Sequence, residues 1–113
     1  MKTYQIFIRL DKTSHINIGR LGHFEFLAGD YVYTGSAKIN IDARIKRHVS
    51  VKKKNHWHVD YFLDNSETKI LGIEKSVLTE CELNQQTNGD ILVPGFGSSD
   101  CTNKCRSHLK YLR

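Results

Sequence analysis

The sequence predicts a small α+β domain: an antiparallel sheet of strands close together in the chain, with helices packed against it. Three observations carry this. The first third of the chain alternates apolar and polar residues in short runs, separated by turn-forming stretches at 11–14, 19–22 and 28–30. Ile41, Ile45 and Val49 then recur at helical spacing behind Asn40, a favourable N-cap. Further on, Thr79 and Glu82 stand at the spacing of a capping box. At 113 residues the chain supports one modest core and no second, so 1–113 is read as a single domain.

Taken in order, residues 2–10 put Tyr4, Ile6, Ile8 and Leu10 on one face of a first strand. Residues 15–18 and 23–27 are short strands on either side of the 19–22 turn, and 31–34 is another. Strands in such succession imply an antiparallel meander, in which neighbours in sequence pair in space. In the first helix Ile41, Ile45 and Val49 form the buried stripe. Arg44 and His48, four apart, stack along its edge. Residues 51–55 form a lysine loop. Residues 56–63 are read as a helix capped by Asn55 with His56 beside Asp60, although the alternation of Trp57, Val59, Tyr61 and Leu63 also fits a strand. A strand over 69–73 contains Gly72, and a helix runs from the Thr79 cap to about Thr87, where Asn88-Gly89-Asp90 stops it. A short strand at 91–93, a loop with unusual backbone demands at 94–100, and a closing strand or short helix at 107–112 complete the chain. It has no repeats and no low-complexity segment.

Charge is concentrated. The net charge is +5 and the pI near 9.2, yet the stretch from Lys38 to Lys54 holds seven lysines and arginines against Asp42 alone. That stretch therefore carries +6 and the rest of the chain −1. A basic patch beside a helix is the footprint of a phosphate-backbone partner, or else a solvated lysine loop. Hydrophobic content of 39% excludes a disordered chain. No apolar run approaches the roughly 18 residues of a membrane span, and the start is not a secretion signal. Three cysteines without signs of export read as reduced thiols, and the expected location is the cytoplasm.

The stretch 29–48 organises the remainder. It delivers Tyr31 and Tyr33 on a strand, turns at Gly35-Ser36-Ala37, and continues into the helix of Arg44, Arg47 and His48. Phenol, guanidinium and imidazole can thereby gather at one concave spot. Phosphodiester hydrolysis needs a proton acceptor, a cation facing the developing charge and, in most enzymes, a metal. A tyrosine serves as the base only if its pKa falls well below its usual value of about 10.

The Tyr33-Thr34-Gly35 turn, Arg44 nine positions on, and Lys2-Thr3-Tyr4 on the first strand resemble the GIY-YIG nuclease superfamily. Gly29–Ala37, Arg44–His48, His56–Tyr61, Glu80-Cys81 and Pro94–Cys101 resemble a branch of short, poorly characterised prokaryotic members, and the likeness spans nearly the whole chain. It implies a three-stranded antiparallel core flanked by helices, here with an extra hairpin around 19–22. It also implies a tyrosine as general base, a helix arginine on the phosphate and a helix glutamate on one divalent metal, Mg²⁺ or Mn²⁺. By position these roles fall to Tyr4 and Tyr33, to Arg44 and to Glu80. The sequence departs from the pattern in having Lys2 at the first glycine, a long Tyr4–Tyr33 interval, and Thr87 at the glutamate's usual distance.

The expected function is metal-dependent endonucleolytic cleavage of DNA rather than RNA, with His48 as accessory proton handler. Lys38, Arg47, Lys52, Lys53 and Lys54 would hold the backbone. A non-catalytic nucleic-acid-binding module on the same scaffold is the alternative. His58 and Asp60, with His56, form a second constellation that suits a metal pair, an oriented base, or simply the rim of an aromatic core. Cys81, Cys101, Cys105 and His108 could make a Cys3His zinc site, which would suit a zinc-stabilised adaptor, although Cys81 beside Leu83 also reads as a buried small residue. The 95–100 loop lacks a nucleotide-binding signature and reads as a structural turn.

Overall fold

Strand β1 (Thr3–Leu10) lies at the centre of the sheet because it is apolar on one face and buried on much of the other. Tyr4, Ile6, Ile8 and Leu10 enter the core, and Thr3 and Gln5 are buried behind them. The computed structural model describes residues 2–37, 39–50, 57–97 and 107–112. Around β1 run β4 (Gly29–Ser36), β5 (Thr68–Ser76) and β6 (Leu109–Tyr111), in the order β5-β1-β4-β6 with every pair antiparallel. The domain is α+β, as its patterning predicts. The sheet has four strands rather than three because the C-terminal segment pairs with β4, setting Tyr111 opposite Tyr31 and Leu109 opposite Tyr33.

The meander is interrupted. Strands β2 (Ser14–Asn17) and β3 (His23–Phe26) pair only with each other, joined by a 3-10 turn (Gly19–Leu21). The pairing of β1 passes over them to β4. The hairpin folds back as a second layer because Ile16, Ile18 and Phe26 need cover. Phe26 packs against Phe62 and Phe96, with ring centroids 5.0 and 6.3 Å apart.

Helix α1 (Ile41–Val49) starts at Asn40, whose side chain accepts from the Ala43 amide. Its inward stripe differs from the one expected. Val49 is 47% exposed and His48 is buried, with Ile41 and Ile45 half-buried. The reason is geometric: at about 100° per residue, His48 falls within roughly 20° of Ile41, whereas Val49 has drifted by about 80°. Helix α2 (His58–Leu63) confirms the helical reading of that segment. Its N-cap is Trp57, not Asn55, and the Trp57 amide donates to Asp60 Oδ2 at 2.9 Å. Asn55 and His56 lie outside the described residues.

Helix α3 (Glu80–Gln86) carries the anticipated capping box. The Glu82 amide donates to Thr79 Oγ1, and the Thr79 amide donates to Glu82 Oε1. The strand expected at 91–93 is absent. Asp90 makes an isolated bridge to Tyr111, after which Val93 turns into the core and Gly95 and Gly97 take positive φ. Pro94, with no N–H to give, suits that turn. Among the described residues no helix is long and apolar enough to cross a membrane.

Candidate active site

Register sets the site. On the face shared by β1 and β4, Tyr4 stands directly opposite Gly35, and Tyr33 lies two residues along, opposite Ile6. Because Gly35 has no side chain, the Tyr4 ring leans across it towards Tyr33. A Cβ at Gly35 would sit 2.7 Å from Tyr4 Cζ and Oη and 2.9 Å from Tyr33 Cε2.

Helix α1 follows β4 after a short turn and presents Arg44 and His48 to this spot. Tyr4 Oη and His48 Nε2 are 2.7 Å apart, both residues buried. Arg44 Nη1 donates to the Ser36 carbonyl at 2.8 Å, and its Cζ lies 4.3 Å over the Trp57 ring. Glu80, the first residue of α3, arrives from the other side. Ser36 Oγ donates to Glu80 Oε2 at 2.8 Å, and His108 Nδ1 lies 3.0 Å from Glu80 Oε1. Thus Tyr4, Tyr33, Arg44, His48 and Glu80, separated by as many as 76 positions in the chain, meet around the end of β4.

The electrostatics correct one expectation. Burial pushes the Tyr4 hydroxyl up to about 12, with Arg44 working in the opposite direction and Glu80 and Asp60 adding to the rise. Tyr33 is raised well above its ordinary value, again first by burial and then by Tyr4, Glu80 and Asp60. Neither phenol is preformed as phenolate, the reverse of what a free-standing tyrosine base requires. For Glu80 the largest influence is burial, which opposes ionisation. Hydrogen bonds from His108 and Ser36, with the charges of His108 and Arg44, outweigh it and hold the carboxyl below its usual range.

Each of the other candidates has its own setting in the fold. Arg47 forks onto buried Asp60, with Nη1–Oδ1 and Nη2–Oδ2 both 3.0 Å, and its Cζ lies 4.5 Å over Trp57. Its head is therefore engaged by Asp60 and Trp57 within the domain. His58 accepts the Gly97 amide at 2.8 Å and its ring meets Phe96, so it braces the 94–97 turn. Burial lowers its pKa, in keeping with a neutral acceptor. Cys81 is half-buried on the first turn of α3, and the His108 ring faces Glu80. Lys38, Lys52, Lys53, Lys54, Cys101 and Cys105 lie outside the described residues.

Among the described residues no three His, Cys, Asp or Glu side chains form a group able to hold a metal ion. Glu80 offers a carboxyl held below its usual range beside the tyrosines. That suits a hard divalent cation, which keeps several waters and takes one or two carboxylates plus substrate phosphate. A cleft of about 600 Å³ opens elsewhere, between the end of α1 and the 64–66 turn; of the cluster, only His48 lines it.

Trp57 and Ser36 are the residues that sequence reasoning passed over. Trp57 was visible only as an aromatic in an ambiguous segment, and Ser36 only as a small turn residue.

Fold and site together define a small α+β domain whose sheet end gathers two tyrosines, an arginine, a histidine and a glutamate. The chain belongs to the family described as a domain of unknown function, DUF123, whose model matches residues 3–113. Neither the curated proteins nor the solved structures include a match.

Proposed function

We propose that this domain binds nucleic acid at the end of β4 and hydrolyses phosphodiester bonds there as a divalent-metal-dependent endonuclease, acting in the cytoplasm on DNA rather than RNA. The observation that supports it is the convergence of the Tyr4 hydroxyl, the Arg44 guanidinium and the Glu80 carboxylate around Ser36. Each supplies one requirement of the reaction: a route for the proton of the attacking water, positive charge for the transition state, and an anchor for a cation. Arg44 is fixed by a carbonyl and an indole, so its donors are oriented before substrate arrives. Glu80 would hold Mg²⁺ or Mn²⁺, which when bound supplies Lewis-acid polarisation of a phosphoryl oxygen. Because its pKa is raised, Tyr4 works as a conduit: it takes a proton from water as it passes its own to His48 Nε2. The basic stretch from Lys38 to Lys54 supplies the long-range attraction.

A second reading has its own observation. Both Glu80 oxygens are engaged, by Ser36 and by His108, which favours a binding module that keeps the scaffold without cleaving. Labelled duplex, single-stranded and branched DNA, incubated with Mg²⁺ or Mn²⁺, separates the two. Cleavage that disappears in Arg44→Ala and Tyr4→Phe supports the nuclease. Cleavage surviving both substitutions refutes this site, and salt-sensitive binding without cleavage under either metal favours the module.

A further inference from the structure

Asp60 is a buried acid that the reaction outlined above does not use. Its carboxylate is wholly inaccessible. Among the described residues it accepts both arms of the Arg47 fork and the Trp57 amide, which hold the carboxylate in place. Its Oδ1 also lies 3.5 Å from His48 Nδ1. On the opposite edge of the same imidazole, Nε2 is 2.7 Å from Tyr4 Oη. Tyr4, His48 and Asp60 are thus in line, and all three are buried.

We infer that Asp60 is a positioning residue that selects one tautomer of His48, protonated on Nδ1 and bare on Nε2, so that Tyr4, His48 and Asp60 form one proton relay. The two tautomers are far from equivalent in this setting. With the proton on Nδ1, that N–H faces the Asp60 carboxylate and Nε2 accepts from the Tyr4 hydroxyl. With the proton on Nε2, the Nδ1 lone pair faces the buried Asp60 carboxylate, and the two negative ends repel. Arg44 reinforces the choice, since its guanidinium beside Tyr4 can only donate, leaving the tyrosine hydroxyl to donate onwards to His48. The 3.5 Å contact is longer than a formed hydrogen bond. Contacts of this kind shorten when the reacting complex forms, and here a positive charge on His48 would draw the two together.

The relay deepens the nuclease reading and depends on it for its catalytic consequence. The Tyr4 O–H bond breaks and its proton joins His48 Nε2, making an imidazolium beside Asp60. Tyr4 Oη takes a proton from water as the water oxygen bonds to phosphorus. The bond from phosphorus to the leaving oxygen breaks, and that oxygen keeps the electron pair and is protonated by solvent. His48 then returns its extra proton to solvent.

The test begins with ¹⁵N NMR of the imidazole nitrogens in the full chain, with the His48 resonances assigned from their loss in His48→Gln. The wild-type protein is expected to show the Nδ1–H form, and Asp60→Asn to shift the population towards Nε2–H. A wild-type spectrum showing Nε2–H overturns the relay without reference to activity, even if Asp60→Asn does not fold. Arg47→Lys separates positioning from mere architecture: a cation stays beside Asp60 while the fork is lost, so His48 should retain the Nδ1–H form, and a flip overturns the assignment to Asp60. In cleavage assays Asp60→Asn should lower kcat by about 10²–10⁴-fold with KM for DNA little changed and an altered pH–rate profile. A proportionate loss with an unchanged profile would mean a purely structural role. If the protein cleaves nothing but shows the Nδ1–H form, the nuclease reading fails and the tautomer assignment stands.

Discussion

Replacing Gly35 with alanine adds one methyl group at the closest-packed point of the site. The new Cβ would lie 2.7 Å from Tyr4 Cζ and Oη and 2.9 Å from Tyr33 Cε2, short of the 3.4 Å at which ordinary contact begins. Backbone conformation is no obstacle, since Gly35 is not among the glycines with positive φ. Space alone is lacking. The Tyr4 ring has to withdraw by about 0.7 Å, a displacement that disturbs its 2.7 Å contact with His48. Both rings are buried, so overpacking costs about 1–3 kcal/mol and the weakened hydrogen bond about 1 more. The variant should unfold about 2–4 kcal/mol more easily, on the order of 10 °C in Tm for a domain of this size. Denaturant and thermal unfolding measure the loss, and the His48 ring shifts report the displaced tyrosine. A variant of wild-type stability with unchanged His48 shifts would show that Tyr4 does not lie over Gly35, and the site as described would fall.

Three further outcomes follow from the same geometry. Burial pushes the Tyr4 hydroxyl from its ordinary value of about 10 up to about 12, so the stability tied to its neutral form should be complete below about pH 10 and lost as pH rises towards about 12. Two units correspond to about 3 kcal/mol, which denaturant midpoints and tyrosinate absorbance across that range will show. Glu80 shifts the opposite way: the stability from its lowered pKa is present above the unfolded carboxyl value and lost as pH falls through the folded one. Glu80→Gln should therefore flatten the acid limb of urea midpoints measured between about pH 6 and pH 3. Arg47→Ala strands the Asp60 carboxylate in the interior and should cost about 3–5 kcal/mol by denaturant unfolding, with Arg47→Lys recovering only part because a single ammonium cannot reproduce the fork.

Local chemistry made much of the fold legible in advance. Alternation located β1, the caps at Asn40 and Thr79 located α1 and α3, and the spacing of Arg44 and His48 put both on the edge of α1 that meets Tyr4. Three-dimensional competition accounts for the rest. Val49 yielded its inward place to His48 because the helical period is not four. The hairpin left the main sheet because Ile16, Ile18 and Phe26 had a layer to build, which alternation within each strand cannot reveal. Arg47 looked like one more cation in a basic run, and only the fold supplies the Asp60 that captures it, 13 residues away. His108 and Trp57 were legible as residue types but not as neighbours of Glu80 and Arg44, because those contacts depend on where β6 and α2 dock.

Ser36 holds both signs of charge, through two unlike attachments. Arg44 hangs on a backbone oxygen that every amino acid possesses, while Glu80 hangs on a hydroxyl that only a few side chains carry. The cationic half of the site is therefore robust to substitution at position 36, and the anionic half is exposed to it. A drift from serine to alanine there would leave the acid with His108 alone while the guanidinium kept its mooring, so one replacement would alter the two halves unequally.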